Sequence, residues 1–286
     1  MLLIGLTGSI ATGKSTVSSL LRSEPYNLPI IDADVLARQV VEPGTYGYKR
    51  VIAAFGESTP DLLLPTSSPS TQKAGLDDGA KTEETRGRRT GQPINRAALG
   101  RRVFGSSPSR MRDRKTLNGI IHPLVRLAML RHVLYYYLTG HWAVVLDIPL
   151  LFESGLDIFC GVVIMVAVSD PIVQMRRLRE RDKGLSAEEA EGRVGSQMAV
   201  GEKVAATQEK GERRGKVILN DRGMEELRRE VDRVIGEVKK EGGGPWWRIW
   251  FWGNPLAALV FGSQEVLKSW WARRRQQSSK NEKARL

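Results

Sequence analysis

The sequence predicts an α/β fold in which a parallel sheet is flanked by helices. Three features predict it. Several short runs are apolar throughout, as in strands buried on both faces. Helical stretches alternate with these runs. A glycine-containing turn joins the first run to the first helix.

Leu2-Leu3-Ile4-Gly5-Leu6 is the first strand, and Ser15-Thr16-Val17-Ser18-Ser19-Leu20-Leu21 opens the helix behind it. Ile30-Ile31 and Val144-Val145-Leu146 follow as short strands, Val162 to Val168 is the longest, and Val217-Ile218-Leu219 is the last. Helices are expected at roughly Leu124–Tyr137, Pro171–Arg181, Ser186–Met198 and Met224–Lys239. Ser186 lies three residues before Glu189, the spacing of a capping box. Residues 1–240 read as one folded domain. Thr59 to Pro93, rich in Ser, Thr, Pro, Gly and charge, reads as a disordered insertion within it. From residue 241 a linker containing Gly242-Gly243-Gly244 leads into a tail that ends at 286.

A chain of 286 residues, 41% hydrophobic and 27% charged, can bury a core without disulfides. Its one cysteine, Cys160, excludes an internal disulfide and fits a reducing compartment. Met1 to Leu6 lacks the positive region and cleavage site of a signal peptide. The net charge of +12 favours a polyanionic partner: nucleic acid, anionic lipid or a phosphorylated small molecule. Much of that excess sits in the tail, at Arg273, Arg274, Arg275, Lys280, Lys283 and Arg285, so a nucleic-acid groove is not expected.

Gly8-Ser9-Ile10-Ala11-Thr12-Gly13-Lys14-Ser15 meets the pattern G-x-x-x-x-G-K-[S/T]. Gly8 and Gly13 permit backbone conformations that turn successive N–H groups onto phosphate oxygens. The helix that follows points its positive end at the same anion. Lys14 can reach the β- and γ-phosphates of ATP, and the Ser15 hydroxyl can ligate Mg²⁺. The nucleotide-binding stretch is taken to run through Thr16. An accidental glycine-rich turn would not require a buried strand before it and a helix after it. The glycine spacing does not fit G-x-G-x-x-G, which excludes the dinucleotide-binding alternative.

Asp32 and Asp34 stand at the end of the second strand, where ligands of open parallel sheets bind. One carboxylate there can accept the proton of an acceptor hydroxyl, and another can hold a water of the Mg²⁺ shell. A solvated turn is the plain alternative. An extended backbone would make the two side chains diverge. Asp147 follows an apolar run and is a second candidate magnesium ligand.

The whole series resembles the dephospho-coenzyme A kinase family over residues 1 to about 235, apart from the insertion. The resemblance is carried by Gly5 to Ser15, Asp32-Ala33-Asp34-Val35-Leu36-Ala37-Arg38, Ile94-Asn95-Arg96, Leu117 to Pro123, Asp147-Ile148-Pro149-Leu150-Leu151-Phe152-Glu153 and Ser196-Gln197-Met198. It implies a P-loop NTPase-type fold with a helical acceptor-binding part and a mobile lid. It implies ATP and Mg²⁺ as cofactors and dephospho-CoA as the substrate, phosphorylated on its ribose 3′-hydroxyl. Asp34 would be the base or hydroxyl-positioning group, with Asp32 and Arg38 in the acceptor site. Arg177 and Arg181 on the lid helix, four residues apart and so on one face, would stabilise the transferring charge. A solvated basic face is the alternative for that helix. Glu153 either faces the acceptor or caps the next segment, and His122 is given no chemistry. Two departures stand out: the family usually has glycine at the positions of Ser9 and Ala11, and Ala-Asp where Gly215-Lys216 stands. Another small-molecule kinase, or a non-catalytic membrane- or nucleic-acid-binding NTP module, is the competing functional class.

The tail carries Trp246, Trp247, Trp250, Trp252, Trp270 and Trp271 and, from Leu256 onward, apolar residues at helical spacing. Tryptophan favours the lipid–water interface. Charged and helix-breaking residues interrupt any span, so a helix lying on a membrane surface is expected. A tail packed on the kinase domain or on another subunit is the alternative. The expected location is cytoplasmic and membrane-associated, at a mitochondrial or endoplasmic-reticulum surface. Oligomeric state is not legible.

Overall fold

The computed structural model describes residues 1–64, 91–105, 107–182, 184, 186–195 and 197–241. The chain divides into two compact units: Met1–Asp32 together with the chain from Tyr135 onward, and Ala33–Leu134.

The first unit is built on five parallel strands, β1 (Leu2–Gly8), β2 (Ile30–Asp32), β3 (Ala143–Asp147), β4 (Val162–Ala167) and β5 (Gly215–Leu219). Their spatial order is β2-β3-β1-β4-β5, which places β1 at the centre. All five expected strands form; four are one or two residues longer than expected, while β4 ends at Ala167, one residue short of Val168. β3 and β4 are buried along their whole length, which is why their sequences do not alternate. Helix α1 (Lys14–Arg22) follows β1, and α10 (Met224–Glu241) closes the unit. Leu227, Val231, Val234, Ile235 and Val238 of α10 join Val17 and Leu21 of α1 in a core with Ile4, Leu6, Val145 and Ile164. Each such fully buried aliphatic side chain contributes roughly 1.5–3 kcal/mol. Elsewhere in the unit, Gly5 of β1 admits no side chain: an added Cβ would stand 2.7 Å from Cys160 Sγ and 2.8 Å from Leu151 Cδ2.

The second unit holds α2 (Ala33–Gln39), α3 (Tyr46–Phe55), α4 (Arg96–Val103) and most of α5 (Pro108–Leu138). Its core gathers Tyr48, Val51, Phe55, Leu62, Ile94, Leu99, Val103, Leu117 and Ile120. Thr45 and Asn95 cap α3 and α4 by accepting the N–H groups of Tyr48 and Ala98.

Several boundaries correct the sequence reading. The helix expected at Leu124–Tyr137 begins at Pro108, because α5 runs through Pro123. Burial of Leu117, Ile120, Val125 and Met129 along one face outweighs the hydrogen bond that the proline cannot make. The stretch expected at Ser186–Met198 ends at Gly195 as α8 (Ala187–Gly195), and α9 (Val200–Gln208) follows. Between β3 and α8 lie α6 (Leu151–Ser154), a short 3₁₀ turn (Leu156–Phe159) and α7 (Pro171–Arg181), the last as expected.

The insertion is narrower than Thr59 to Pro93. Thr59 and Leu62 are buried, and Leu63 pairs with Ile94 in an antiparallel bridge. Leu64 N–H donates to Pro93 O at 2.9 Å, and Asn95 N–H donates to Leu62 O at 2.7 Å. Residues 65–90 lie outside the described residues, and so does the tail from 242, where the membrane-surface helix was expected. Among the described residues no helix is long and apolar enough to cross a membrane.

Candidate active site

β1 ends at Gly8, the chain turns, and α1 begins at Lys14. Gly8 leaves no room for a side chain, since a Cβ would meet Thr12 Oγ1 and Val166 O, each at 2.9 Å. Gly13 has φ 92°, a conformation that suits glycine, and a Cβ there would lie 2.2 Å from Asn220 Nδ2. Ala11 adopts φ 60° without that freedom, at one of the two positions where the resemblance expects glycine. The loop is braced internally, with Thr12 Oγ1 donating to Ser9 O at 2.9 Å.

The donor set of this loop suits an anion. Among the described residues, no acceptor takes the backbone N–H of Ala11, Gly13, Lys14 or Ser15, and the buried Ser9 hydroxyl has no partner. Such a nest of N–H groups ahead of a helix is the arrangement that cradles phosphates.

The sheet register sets the acidic residues beside this loop. Asp147, at the end of β3, lies alongside Leu6 of β1 on one side and Asp32 of β2 on the other. The Lys14 ammonium is paired with the Asp147 carboxylate, and that carboxylate is nearly fully buried. Among the described residues no group of three or more His, Cys, Asp or Glu could hold a metal by itself. Mg²⁺ fits such a site when phosphate oxygens and water complete its shell, and the Ser15 hydroxyl and the Asp147 carboxylate could serve as the protein oxygens.

The structure brings out four residues that sequence reasoning gave no role, and three of them bond to the loop. Gln174 Nε2 donates to Ile10 O at 2.7 Å, and Gln197 Oε1 accepts Ile10 N–H at 3.2 Å. Asn220 Nδ2 donates to Thr12 O at 3.0 Å. The fourth, Lys203, is fully buried and binds Glu153 at 3.0 Å. Asn220 directly follows a parallel strand, a position that could have flagged it. Gln174 and Lys203 sit on helices, and nothing in their local sequence shows what they face.

Arg177 and Arg181, both on α7, go to different partners. Arg177 Nη1 donates to Asn220 O at 2.7 Å, which places it directly behind the phosphate loop. Arg181 instead binds Asp182 through two hydrogen bonds at 3.0 and 3.2 Å, and Arg193 binds the same carboxylate at 2.8 Å. The hydrogen bond from Arg181 is the main reason the Asp182 carboxyl lies below its ordinary range. Glu153 accepts the Met198 N–H at 3.4 Å in addition to its pairing with Lys203.

Asp34 and Arg38 do not lie on extended chain. The strand stops at Asp32 and α2 starts at Ala33, so Asp34 stands in its first turn and Arg38 in its last. At four residues apart they share one helix face.

Comparison with known proteins places this architecture. A family model described as dephospho-CoA kinase matches residues 2–64 and 87–225. The chain belongs to the dephospho-CoA kinase family. A dephospho-CoA kinase of Saccharomyces cerevisiae is 39% identical over 239 residues, 84% of this chain and 83% of its own. A dephospho-CoA kinase of Geobacillus kaustophilus is 40% identical over 82% of this chain and 95% of its own. One from Arabidopsis thaliana is 34% identical over 92% and 94%. Among solved structures, TT1252 from Thermus thermophilus superposes with a TM-score of 0.57 at 29% identity, covering 83% of this chain and 97% of that one. A dephospho-CoA kinase from Campylobacter jejuni, at 24% identity and a TM-score of 0.52, shares the fold over 84% of this chain and 98% of its own. The family match stops at Leu64 and resumes at residue 87.

Proposed function

We propose that this dephospho-CoA kinase family member transfers the γ-phosphoryl group of ATP to the ribose 3′-hydroxyl of dephospho-CoA, yielding CoA and ADP. The observation that carries the reading is the Gly8–Ser15 loop, with its unclaimed N–H groups and with Lys14 paired to Asp147 at the end of the adjoining strand. The loop N–H groups hold the β-phosphate, and Lys14 turns from Asp147 to the β- and γ-phosphate oxygens. Ser15 and Asp147 would hold magnesium, which would supply charge neutralisation on those oxygens when bound. Asp34 orients the 3′-hydroxyl and accepts its proton as the oxygen bonds to the γ-phosphorus. The bond to the bridging oxygen breaks, and its electron pair leaves with ADP. Asp32, Arg38 and Glu153 serve the acceptor, while Arg177 and Arg181 on α7 meet charge on the transferring group.

A coupled assay of ADP release with Mg-ATP and dephospho-CoA tests this. Native protein turns over only when the acceptor is present, and Lys14→Ala and Asp34→Ala each lose about 100-fold or more in kcat. Nucleotide binding without turnover on dephospho-CoA would remove the acceptor assignment, and turnover on a nucleoside would replace it. The tail from 242 is further proposed to touch a membrane surface, supported by its tryptophans and basic cluster. The full chain should float with anionic liposomes and a chain ending at Glu241 should not; equal flotation overturns that part.

A further inference from the structure

Lys203 of α9 is an ammonium with no exposure to solvent. Its Nζ lies 3.1 Å from Pro149 O and 3.0 Å from Glu153 Oε1. Pro149 O also accepts the hydroxyl of Thr7 on β1 at 3.0 Å, so the turn after β3 is pinned from both sides. Glu153 in turn accepts Met198 N–H, and the preceding residue, Gln197, accepts the Ile10 N–H of the phosphate loop. A continuous path of hydrogen bonds and one covalent step therefore runs from the buried ammonium to the loop.

We infer that Lys203 is a positioning residue of the nucleotide site, acting through Glu153 and the Gln197-Met198 connection to fix Ile10. A purely structural account of this lysine is weak. A buried ion pair is commonly replaced by apolar side chains of similar volume without loss of stability. An apolar side chain at 203 would fill the space, but it could not hold a carbonyl and a carboxylate at once. Those two acceptors belong to the segment that carries Asp147 and to the tether on Ile10. The inference rests on reading the Gly8–Ser15 loop as the phosphate cradle. It assigns Lys203 no contact with any ligand.

The test is ADP affinity, measured by titration calorimetry on the full chain without acceptor, alongside thermal unfolding. Lys203→Met and Gln197→Leu should each weaken ADP binding roughly tenfold. The double variant should bind no more weakly than Gln197→Leu, within about twofold, because the lysine acts through that residue. Glu153→Ala should repeat the loss, and Glu153→Gln, which keeps an acceptor for the Met198 N–H, should recover most of it. ADP affinity of Lys203→Met within about twofold of native, with only the unfolding temperature lowered, overturns the inference. So do losses that multiply in the double variant. If Lys203→Met does not fold, the contrast between Glu153→Ala and Glu153→Gln decides on the same terms. Failure of the native chain to phosphorylate dephospho-CoA would overturn only the acceptor assignment, since ADP binding is read without it.

Discussion

Ala11 holds a left-handed backbone, φ 60°, in the middle of the phosphate loop, and nothing about an alanine favours that state. Replacing it by glycine removes the Cβ strain but adds freedom to the unfolded chain; the first effect is the larger. Ala11→Gly should therefore stabilise by about 0.5 kcal/mol and raise the unfolding temperature by a degree or two, which calorimetry can read. Gly13→Ala does the reverse. It forces φ 92° on a residue with a side chain and drives that side chain into Asn220. Loss of ADP binding with the fold retained by circular dichroism is the expected result. Cys160 offers a test of burial: its thiol is pushed up to about 12, chiefly by burial and secondarily by Asp157. A thiol-specific reagent at pH 8 should find almost none in native protein and one equivalent after denaturation. At this scale the local pattern marked Gly8, Gly13, Lys14 and Ser15 as candidates, and the structure places them on one loop between β1 and α1. Gln174 and Lys203 reach the loop and its surroundings from helices distant in the chain, and no local pattern marks them.

Short apolar runs identify strands well when both faces of the sheet are covered, which made β1, β3 and β4 legible; β2 and β5, at the two edges, are only partly buried but carry short apolar runs as well. In the second unit only the C-terminal part of α5 was legible. α2 starts at the residue after β2 with no breaker between them, and α5 passes through a proline that ordinarily marks a boundary. Where capping chemistry is local, it was readable. Ser186 and Glu189 exchange hydrogen bonds of 3.1 Å in each direction at the start of α8. Ser186→Ala should cost about 1 kcal/mol, seen as faster amide exchange confined to that helix. Between β5 and α10, Lys216 binds Glu237 at 3.0 Å and Glu241 at 3.2 Å. The Lys216 hydrogen bond, followed by that of Arg233, holds the Glu237 carboxyl below its ordinary value of 4.5. Its contribution is thus complete above that value and lost as the pH falls through the lower folded pKa. In urea unfolding, Glu237→Gln should be less stable than native at pH 7, and the gap should close once the pH is low enough to protonate the native carboxyl. A gap that persists unchanged in acid would mean that the ion pair is not its source.

The molecule as a whole is a kinase body interrupted once, and the edges of the interruption are better built than composition implied. Ser, Thr, Pro and Gly content marked Thr59 to Pro93 as unable to bury a core. Leu62, in the one apolar run of the stretch, is 2% exposed, and Leu63 bridges to Ile94, a pairing that composition does not show. That bridge already brings the two ends together, and closure entropy grows only slowly with the length of chain between them. Replacing residues 65–90 by a short Gly-Ser turn should leave kcat and both KM values within about twofold of native in the coupled assay. In genetic terms, in-frame gain or loss of codons between those for Leu64 and Gly91 should be close to neutral. The same change a few codons to either side would break the bridge and be removed by selection. Related chains should accordingly differ in length there more than in the residues on either side.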